Sequence, residues 1–383
     1  MLEQNDLLAY ARKLHQRFCV VDSLSYTWGP FRAMDLPEAL ENELDRLSQS
    51  GGPIEEKIDE GILAYLVADQ EFRKAYEEAW QEAAVDGISV TVGSVAENSA
   101  FALKTLIKDV ALWNRLFDTF PFLQRAVRAR SIEEAKGLGR RAVIFNTQNS
   151  SFLGGSLDPL ELVYNLGVRI VQLTYNSMNL VGTGCTERVD AGLSHFGRQV
   201  VRELNKLNVL IDLSHCSRQT IFDTLEITTA PVALTHVSCN AVCPHARAKS
   251  DEEIKAVAES GGYIGILCVP AFVSSESRKS LRHVVDHIDH VVDLVGVDHV
   301  GIGTDWGARY PKAVAQKLNE ESLAFGFRRE HKLDWCETLE GFRSWLDWLN
   351  ITAELIRRGY TEEEVGKIIG GNFLRLLKNV LGG

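Results

Sequence analysis

The amino-acid sequence predicts an α/β fold, a closed (β/α)8 barrel of the TIM type, and two observations carry this prediction. Eight short runs rich in β-branched residues recur along the 383-residue chain, each apolar on both faces, as parallel strands covered by helices are. Segments with helical periodicity separate these runs, among them 194–206, 217–227, 251–259 and 279–294. Because no second block of strands follows, a closed barrel is favoured over an open sheet.

The eight predicted strands run through the chain at the spacing of βα units. In chain order they are FCVVD (18–22), GISVTVG (87–93), RAVIFN (141–146), VRIVQLT (168–174), NVLIDLS (208–214), PVALTH (231–236), GYIGILC (262–268) and HVGIGTD (299–305). In such a barrel the active site lies at the carboxyl ends of the strands. The polar residue that follows each run is therefore a candidate functional residue.

The chain is predicted to form a single barrel domain over residues 1–383, with two segments longer than the repeat requires. Residues 32–84 form an acidic, helical insertion after the first strand, and residues 306–345 form a second insertion before the C-terminal helices. Either insertion would cover the barrel mouth or form a dimer interface. The sequence leaves both alternatives open.

The composition and charge of the chain argue against nucleic-acid and membrane partners. A formal charge of -11, from 41 basic and 52 acidic residues, argues against nucleic acid. The charged N-terminal segment reads as an amphipathic helix rather than a signal peptide, and no stretch approaches the roughly 20 apolar residues of a membrane span. Seven cysteines without a CxxC pair fit reduced thiols. We therefore expect a cytoplasmic protein that acts on a small molecule and does not associate with a membrane.

Three of the strand-end residues suggest a metal site. His215 and His236 follow neighbouring strands and Asp305 follows the eighth, so all three point toward the barrel axis. A His/His/Asp set suits a divalent metal, and burying three such groups without partners would cost several kcal/mol. The competing pair, His283 and His287, has helical i, i+4 spacing in an outer helix and reads as structural.

Other strand-end positions complete the candidate site. Tyr26, Gln148, Tyr175 and Asn176 follow the first, third and fourth strands. Arg247 lies in the loop after the sixth strand, where a guanidinium could bind a substrate carboxylate through two parallel hydrogen bonds, or could pair with the acidic helix that follows.

Several long motifs resemble a known family. LGVRIVQLTYNSMNLVGTG, GLSHFGRQVVRELNKLNVLIDLSHCS, PVALTHVSCNAVCPHARAKSDEEIKAVAESGGYIGI, HVVDHIDHVVDLVGVDHVGIGTD and IIGGNFLRLLKN are similar to the renal or membrane dipeptidases, peptidase family M19, within the amidohydrolase-like barrels. The resemblance covers residues 140–305 and the C-terminus strongly and residues 6–30 weakly. It implies a metal-dependent hydrolase that binds two zinc ions and cleaves dipeptides.

The resemblance carries over only part of the metal site. It assigns His215 and His236 to the second metal, Asp305 to metal and proton chemistry, and Arg247 to the substrate carboxylate. The family's first-strand His-x-Asp pair falls on Leu24 and Tyr26, its bridging Glu on Gln148, and a substrate-polarising His on Tyr175. Leucine cannot ligate a metal, and a neutral amide offsets the repulsion between two cations poorly.

The sequence therefore predicts a divergent member of the family with one divalent metal ion, for which zinc is the candidate. His215, His236 and Gln148 would hold it, Asp305 and Tyr175 would be catalytic, and Arg247, Tyr26 and Asn176 would bind the substrate. The substrate would be a small dipeptide-like or amino-acid-derived amide with a carboxylate, and the family suggests a homodimer.

Two alternatives remain open at this point. The first is a lyase or isomerase that uses Tyr26, Tyr175, His215, His236 and Asp305 for acid/base chemistry without a metal. The second is a non-catalytic homologue that binds a ligand in the same pocket.

Overall fold

The computed structural model describes residues 4–49, 54–95 and 99–382. Within these residues, ten strands join one parallel system. They are β1 (Val21–Asp22), β2 (Gly87–Thr91), β3 (Leu123–Arg125), β4 (Arg141–Thr147), β5 (Val168–Gln172), β6 (Leu210–Asp212), β7 (Ala233–Cys239), β8 (Ala248–Lys249), β9 (Tyr263–Ile266) and β10 (Val300–Ile302). Eight of them fall on the eight predicted runs, so the predicted strands are confirmed.

The eight strands wrap into a barrel. Their order is β1-β2-β4-β5-β6-β7-β9-β10, all pairs being parallel, while β3 and β8 extend the sheet from β4 and β7. The Ser23 amide donates to the Ile302 carbonyl at 2.9 Å, which joins the first strand to the last. The predicted TIM-type fold is confirmed.

Sixteen helices are present in the described residues. They are α1 (Gln4–Arg17), α2 (Glu38–Ser48), α3 (Ile54–Ala68), α4 (Gln70–Ala83), α5 (Ser99–Thr119), α6 (Ala129–Gly137), α7 (Asp158–Asn165), α8 (His195–Lys206), α9 (Arg218–Ile227), α10 (Asp251–Glu259), α11 (Pro270–Val273), α12 (Leu281–Val295), α13 (Lys312–Ser322), α14 (Trp348–Arg358), α15 (Glu362–Gly366) and α16 (Asn372–Leu381). The four helical segments predicted between strands correspond to α8, α9, α10 and α12.

Serine caps fix where the helices after the later strands begin. Ser194, Ser217 and Ser250 each accept a backbone N–H three residues ahead, at the start of α8, α9 and α10. The loop from β6 to α9 is therefore short, running from Leu213 to Ser217, and it holds His215 close to the barrel axis.

Both insertions lie over the carboxyl ends of the strands. The described parts of the first insertion, 32–49 and 54–84, contain α2, α3 and α4, and residues 306–345 contain α13 and several single-turn 3-10 helices. Side chains from α3 and from 318–335 line a cavity together with strand-end residues. Of the two roles left open by the sequence, covering the barrel mouth is the one visible in this chain.

Hydrophobic packing holds the barrel and its cover together. The buried apolar core runs without interruption from the insertion residues Leu40 and Ile58 through the strand residues Val90 and Ile211 to Trp345. No helix in the described ranges combines the length and apolar character needed to cross a bilayer.

Candidate active site

A cavity of about 150 Å³ lies at the carboxyl ends of the barrel strands. Four of the predicted site residues line it: Tyr26, Gln148, Tyr175 and Asp305. The other four, Asn176, His215, His236 and Arg247, lie outside its lining, and all are at most 2% exposed. The predicted site residues thus form two layers, one facing the cavity and one beneath it.

His236 lies on a distortion of β7. The pairing of β7 with β9 shifts register between Leu234 and Val237, so an extra residue bulges out at Thr235–His236. The Thr235 carbonyl turns into the barrel and accepts the Ser23 hydroxyl at 2.7 Å. A Cβ at Gly265 or Gly303 would lie 2.1 or 2.0 Å from that carbonyl, so the bulge depends on both glycines. The bulge aims the His236 ring at His215.

The two histidines face each other through the same ring atom. His215 Nε2 lies 3.0 Å from His236 Nε2, and the side chains are 2% and 0% exposed. Burial, together with the nearby Arg247 guanidinium, lowers the pKa of both rings well below the usual value for histidine. Both imidazoles are therefore neutral, and each carries a single proton.

Asn176 determines which nitrogen of His215 carries the proton. Asn176 Nδ2 donates to the Phe325 carbonyl at 2.9 Å, which leaves Oδ1 facing His215 Nδ1 at 2.8 Å. An amide oxygen can only accept, so Nδ1 carries the hydrogen. The Nε2 atom of His215 then presents an unshared electron pair.

A buried carboxylate sets the proton of His236 through a hydroxyl. Thr235 Oγ1 donates to Asp212 Oδ2 at 2.5 Å and lies 2.8 Å from His236 Nδ1. Asp212 also accepts the Ser214 hydroxyl and the Ser214 and Thr235 amides. With its own hydrogen given to Asp212, the Thr235 oxygen accepts from His236 Nδ1–H. The Nε2 atom of His236 is therefore also unprotonated.

Two unshared pairs facing each other at 3.0 Å repel unless a cation lies between them. Zinc–nitrogen distances of about 2.0–2.1 Å place two ligating nitrogens roughly 3.3 Å apart in tetrahedral geometry. The His215–His236 pair therefore fits two positions of a divalent metal, and its Nδ1 partners are of the kind that orient ligating histidines. Among residues 4–49, 54–95 and 99–382, no three His, Cys, Asp or Glu side chains are grouped as a metal site.

Tyr175 separates the histidine pair from the cavity. Its ring stacks on the His215 imidazole with centroids 4.0 Å apart and planes 23° apart, and it lines the cavity. Burial and the nearby Asp305 raise the pKa of the phenol, so it stays neutral at physiological pH. Tyr175 contacts both layers of the site.

Asp305 lines the cavity with a carboxyl group that is not engaged in a side-chain hydrogen bond within the described residues. Its backbone is left-handed, with φ of 48°, a conformation that Asp tolerates better than most residues. The Asp305 amide donates to the Leu24 carbonyl at 3.0 Å, and no side-chain hydrogen bond to the carboxyl is found in the described residues. Burial raises its pKa to about 7, against the charge of Arg247, which lowers it.

The Arg247 guanidinium binds backbone carbonyls and does not line the cavity where a substrate would lie. Its side chain is 0% exposed, Nη1 donates to the Ser214 carbonyl at 2.5 Å, and Nη2 donates to the His236 carbonyl at 3.0 Å. Its Nε is buried without a hydrogen-bond partner, and the described residues give it no ion pair. The alternative pairing of Arg247 with the following acidic helix is absent there. Arg247 therefore joins the loop that carries His215 to the strand that carries His236.

Among the residues that the structure describes, the side chains that follow β1 and β4 form no cluster of metal ligands. Leu24 is buried at 1% exposure and contributes its backbone carbonyl to Asp305. Tyr26 donates its hydroxyl to Glu55 Oε1 at 2.6 Å. Gln148 donates Nε2 to Thr91 Oγ1 at 2.9 Å, and no hydrogen bond joins it to either histidine in the described part of the chain.

The cavity wall is acidic. Arg32 is the one Lys or Arg in the described lining, and it forms a buried two-bonded pair with Asp59 at 2.8 and 2.6 Å. Burial raises the pKa of Asp109 to about 7 and that of Glu321 above its usual value. The six carboxyl residues of the lining are Glu55, Glu56, Asp59, Asp109, Asp305 and Glu321.

Sequence reasoning missed residues of two kinds. The acids of α3 were read only as part of an acidic insertion, because their sequence pattern does not reveal what the helix covers. Asp212 and Thr235 lie inside apolar runs, and a buried carboxylate needs hydrogen-bond donors. The single Asp in NVLIDLS was therefore a signal of the network behind His236.

Comparison with known sequences gives one family. The family profile described as membrane dipeptidase (peptidase family M19) matches residues 68–322. A curated relative, dipeptidase tcpJ of Claviceps purpurea (strain 20.1), is 28% identical over 283 residues. The match spans 73% of this chain and 60% of that relative, so the chain covers less than two-thirds of the relative's length.

Solved structures share the fold over nearly the whole chain. An amidohydrolase from Pseudomonas aeruginosa is similar at a TM-score of 0.75 and 25% identity, covering 97% of this chain and 99% of its own. The probable dipeptidase PvdM from Pseudomonas aeruginosa gives 0.73 at 20% identity, covering 99% of each chain. A metallo peptidase from Rhodobacter sphaeroides, liganded with a phosphinate mimic of L-Ala-D-Ala, gives 0.70 at 17%, covering 95% and 99%.

Proposed function

Because the chain belongs to the membrane dipeptidase family, peptidase family M19, we propose that it is a hydrolase of a dipeptide-like amide and that His215 and His236 hold a single divalent metal ion. The observation that carries this proposal is the contact between the two histidine Nε2 atoms at 3.0 Å. Both tautomers present an electron pair to the same point, as metal ligands must. Zinc is the candidate metal because imidazole nitrogen suits it.

We also propose that the site holds one metal ion rather than the two of the family's dipeptidases. The first-strand side chains at the family's ligand positions are an aliphatic group, Leu24, and a phenol already bonded to Glu55. Burial and the Glu55 charge raise the pKa of Tyr26, which disfavours its anionic, metal-binding form. Gln148 supplies no negative charge to offset a second cation.

A bound metal would polarise the scissile carbonyl and acidify a water molecule. Asp305, with a pKa of about 7 and an open carboxyl in the cavity, is suited to take a proton from water and return it to the leaving amine. Tyr175, held neutral by burial, can donate a hydrogen bond to the substrate. Arg247 supplies the buried positive charge toward which a substrate carboxylate would be drawn, and its Nε–H has no hydrogen-bond partner among the described residues.

A metal-free acid/base enzyme is the second candidate, and one observation favours it. A proton shared between the two Nε2 atoms would also relieve the repulsion at 3.0 Å, and no third ligand of the His, Cys, Asp or Glu type is grouped with them in the described residues. The pair would then act with Asp305 as proton donor and acceptor in an elimination or isomerisation.

Metal content tests the proposal. Protein purified without added metal, then dialysed against zinc and washed, is expected to retain close to one equivalent and to hydrolyse L-Ala-D-Ala-type dipeptides. Two equivalents would contradict the single-metal site. Protein that binds no zinc under any loading condition would contradict the proposal and favour the metal-free candidate.

Blocking the substrate amine is expected to reduce hydrolysis. The acidic wall, with one paired arginine, fits the ammonium group of an unblocked dipeptide. A hydrogen bond to a charged group contributes about 1.5–3 kcal/mol, so N-acetylation should lower kcat/KM roughly 10–100-fold. The matched control is the analogue in which a hydroxyl replaces the amine, which removes the charge without adding bulk. Equal kcat/KM for the free and hydroxyl substrates would exclude ammonium binding.

A further inference from the structure

Asn176 connects the histidine pair to the insertion that covers the cavity. It follows β5, its side chain is 0% exposed, and both polar atoms of its amide are used. Oδ1 accepts from His215 Nδ1 at 2.8 Å, and Nδ2 donates to the Phe325 carbonyl at 2.9 Å. One planar amide therefore joins His215 to the segment 323–327, which we call the cover segment.

The cover segment lies directly on Asn176. Gly326 has φ of +83°, and a Cβ there would lie 2.7 Å from Ser177 Oγ and 2.9 Å from Asn176 Cβ. Only glycine fits this approach without a shift. Phe325 and Phe327, on either side of Gly326, line the cavity, so a ligand in the cavity would contact the cover segment.

The Asn176 backbone is held independently of the cover segment. Thr186 donates its amide and its hydroxyl to the Asn176 carbonyl at 3.1 and 2.9 Å. A displacement of the cover segment therefore leaves the amide plane as the part of Asn176 that is free to turn. The Phe325 carbonyl fixes the orientation of that plane because it requires an N–H donor, whereas the Cys185 thiol, 3.7 Å from Oδ1, is a weak partner that can donate or accept.

We propose that Asn176 is a positioning residue that couples the cover segment to the tautomer of His215. With the segment in place, the amide oxygen faces His215 and the Nε2 electron pair is available. With the segment displaced, the amide can rotate by 180° and present its N–H, which favours the Nε2–H tautomer. That tautomer cannot ligate a metal through Nε2. The metal consequence rests on the function proposed above, whereas the hydrogen bond between His215 Nδ1 and Asn176 Oδ1 involves no metal position.

The tautomer can be measured on the metal-free protein from the ring ¹⁵N resonances of His215 in two-bond ¹H–¹⁵N spectra. The unsubstituted protein is expected to show Nδ1–H for His215. Asn176→Leu removes the acceptor and should produce an Nε2–H population, while Asn176→Asp keeps an acceptor toward Nδ1 and should preserve Nδ1–H.

Gly326→Ala tests the coupling, because it displaces the cover segment and leaves Asn176 intact. It is expected to produce Nε2–H at His215, and the double variant with Asn176→Asp should restore Nδ1–H since a carboxylate cannot turn a donor toward the ring. Gly296→Ala is the matched control: Gly296 has a similar φ of +88° but nothing within 4 Å of the added Cβ. It should leave the His215 resonances unchanged.

Zinc titration gives a second readout. Asn176→Leu and Gly326→Ala are expected to weaken zinc binding about 10–100-fold, the usual effect of removing the group behind a ligating histidine. Unchanged His215 resonances in Gly326→Ala would overturn the coupling, and unchanged resonances in Asn176→Leu would overturn the positioning role. Tautomer changes in a protein that binds no zinc would contradict the proposed metal site and leave this inference standing.

Discussion

The double variant His215→Ala, His236→Ala is expected to lose bound zinc completely and to lower dipeptide hydrolysis by about 10³-fold. Polarisation by a metal supplies several kcal/mol to the transition state, and each 1.36 kcal/mol is tenfold in rate. The two rings supply both nitrogen atoms at the proposed metal position, and their Nε2 atoms are 3.0 Å apart. Neither Tyr26 nor Gln148 can replace them as a nitrogen ligand.

Zinc content and thermal unfolding distinguish loss of the site from loss of the fold. A ligand that binds only the folded state raises its stability, so zinc should raise the Tm of the unsubstituted protein and not that of the double variant. His299→Ala is the control, since His299 bonds the Gly262 carbonyl through Nδ1 at 3.1 Å and does not line the cavity. It should retain one equivalent of zinc. Retention of zinc by a folded double variant would refute the assignment.

The strands were predictable because each depends on local sequence alone. A run such as VRIVQLT is apolar on both faces wherever it lies, and its short length and β-branched residues favour a strand buried between helices. The same logic located His215, His236 and Asp305, since a polar residue at the end of such a run lies at the barrel mouth. The direction in which each loop side chain points was not predictable in the same way.

Tyr175 and Asn176 show the limit of that logic. Both follow the same strand and both were predicted to face the substrate. In the structure Tyr175 lines the cavity, whereas Asn176 lies beneath it and bonds His215. Neighbouring residues in an extended chain point to opposite sides, so one strand end cannot direct both side chains into the same space.

The cover of the site depends on contacts between distant segments. Tyr26 and Glu55 are 29 positions apart, and Asn176 and Phe325 are 149 apart, yet each pair is hydrogen-bonded. Arg247 was equally ambiguous, because a buried guanidinium bonded to two carbonyls and one facing a substrate have the same sequence. Such pairings follow from tertiary packing and leave no periodic signal.

Asp305→Asn is expected to lower kcat/KM about 10²–10⁴-fold, the range lost with a general acid or base. In the unsubstituted enzyme kcat/KM should inflect near pH 7, because burial raises the pKa of Asp305 to about 7. The residual activity of the variant should lack that inflection. Asp298→Asn is the control, since Asp298 pairs with Lys367 away from the cavity and should leave the profile unchanged.

The same substitution is expected to stabilise the protein at pH 8. Between its usual value of 3.8 and about 7, Asp305 stays protonated when folded but ionises when unfolded, so stability falls as pH rises through this range. Asparagine avoids that loss and also tolerates the left-handed φ of 48°. The gain should be on the order of a few kcal/mol at pH 8 and should vanish below pH 4.

Lower activity together with higher stability in Asp305→Asn would show that Asp305 serves catalysis at a cost in stability. A structural carboxyl would behave differently: its removal would lower the Tm at pH 8 and leave the pH profile of kcat/KM intact. Denaturant unfolding at pH 4 and pH 8, measured on the same preparations as the kinetics, separates the two cases. An Asp305→Asn variant that is both active and less stable would remove Asp305 from the mechanism and assign the proton transfer to another carboxyl of the cavity lining.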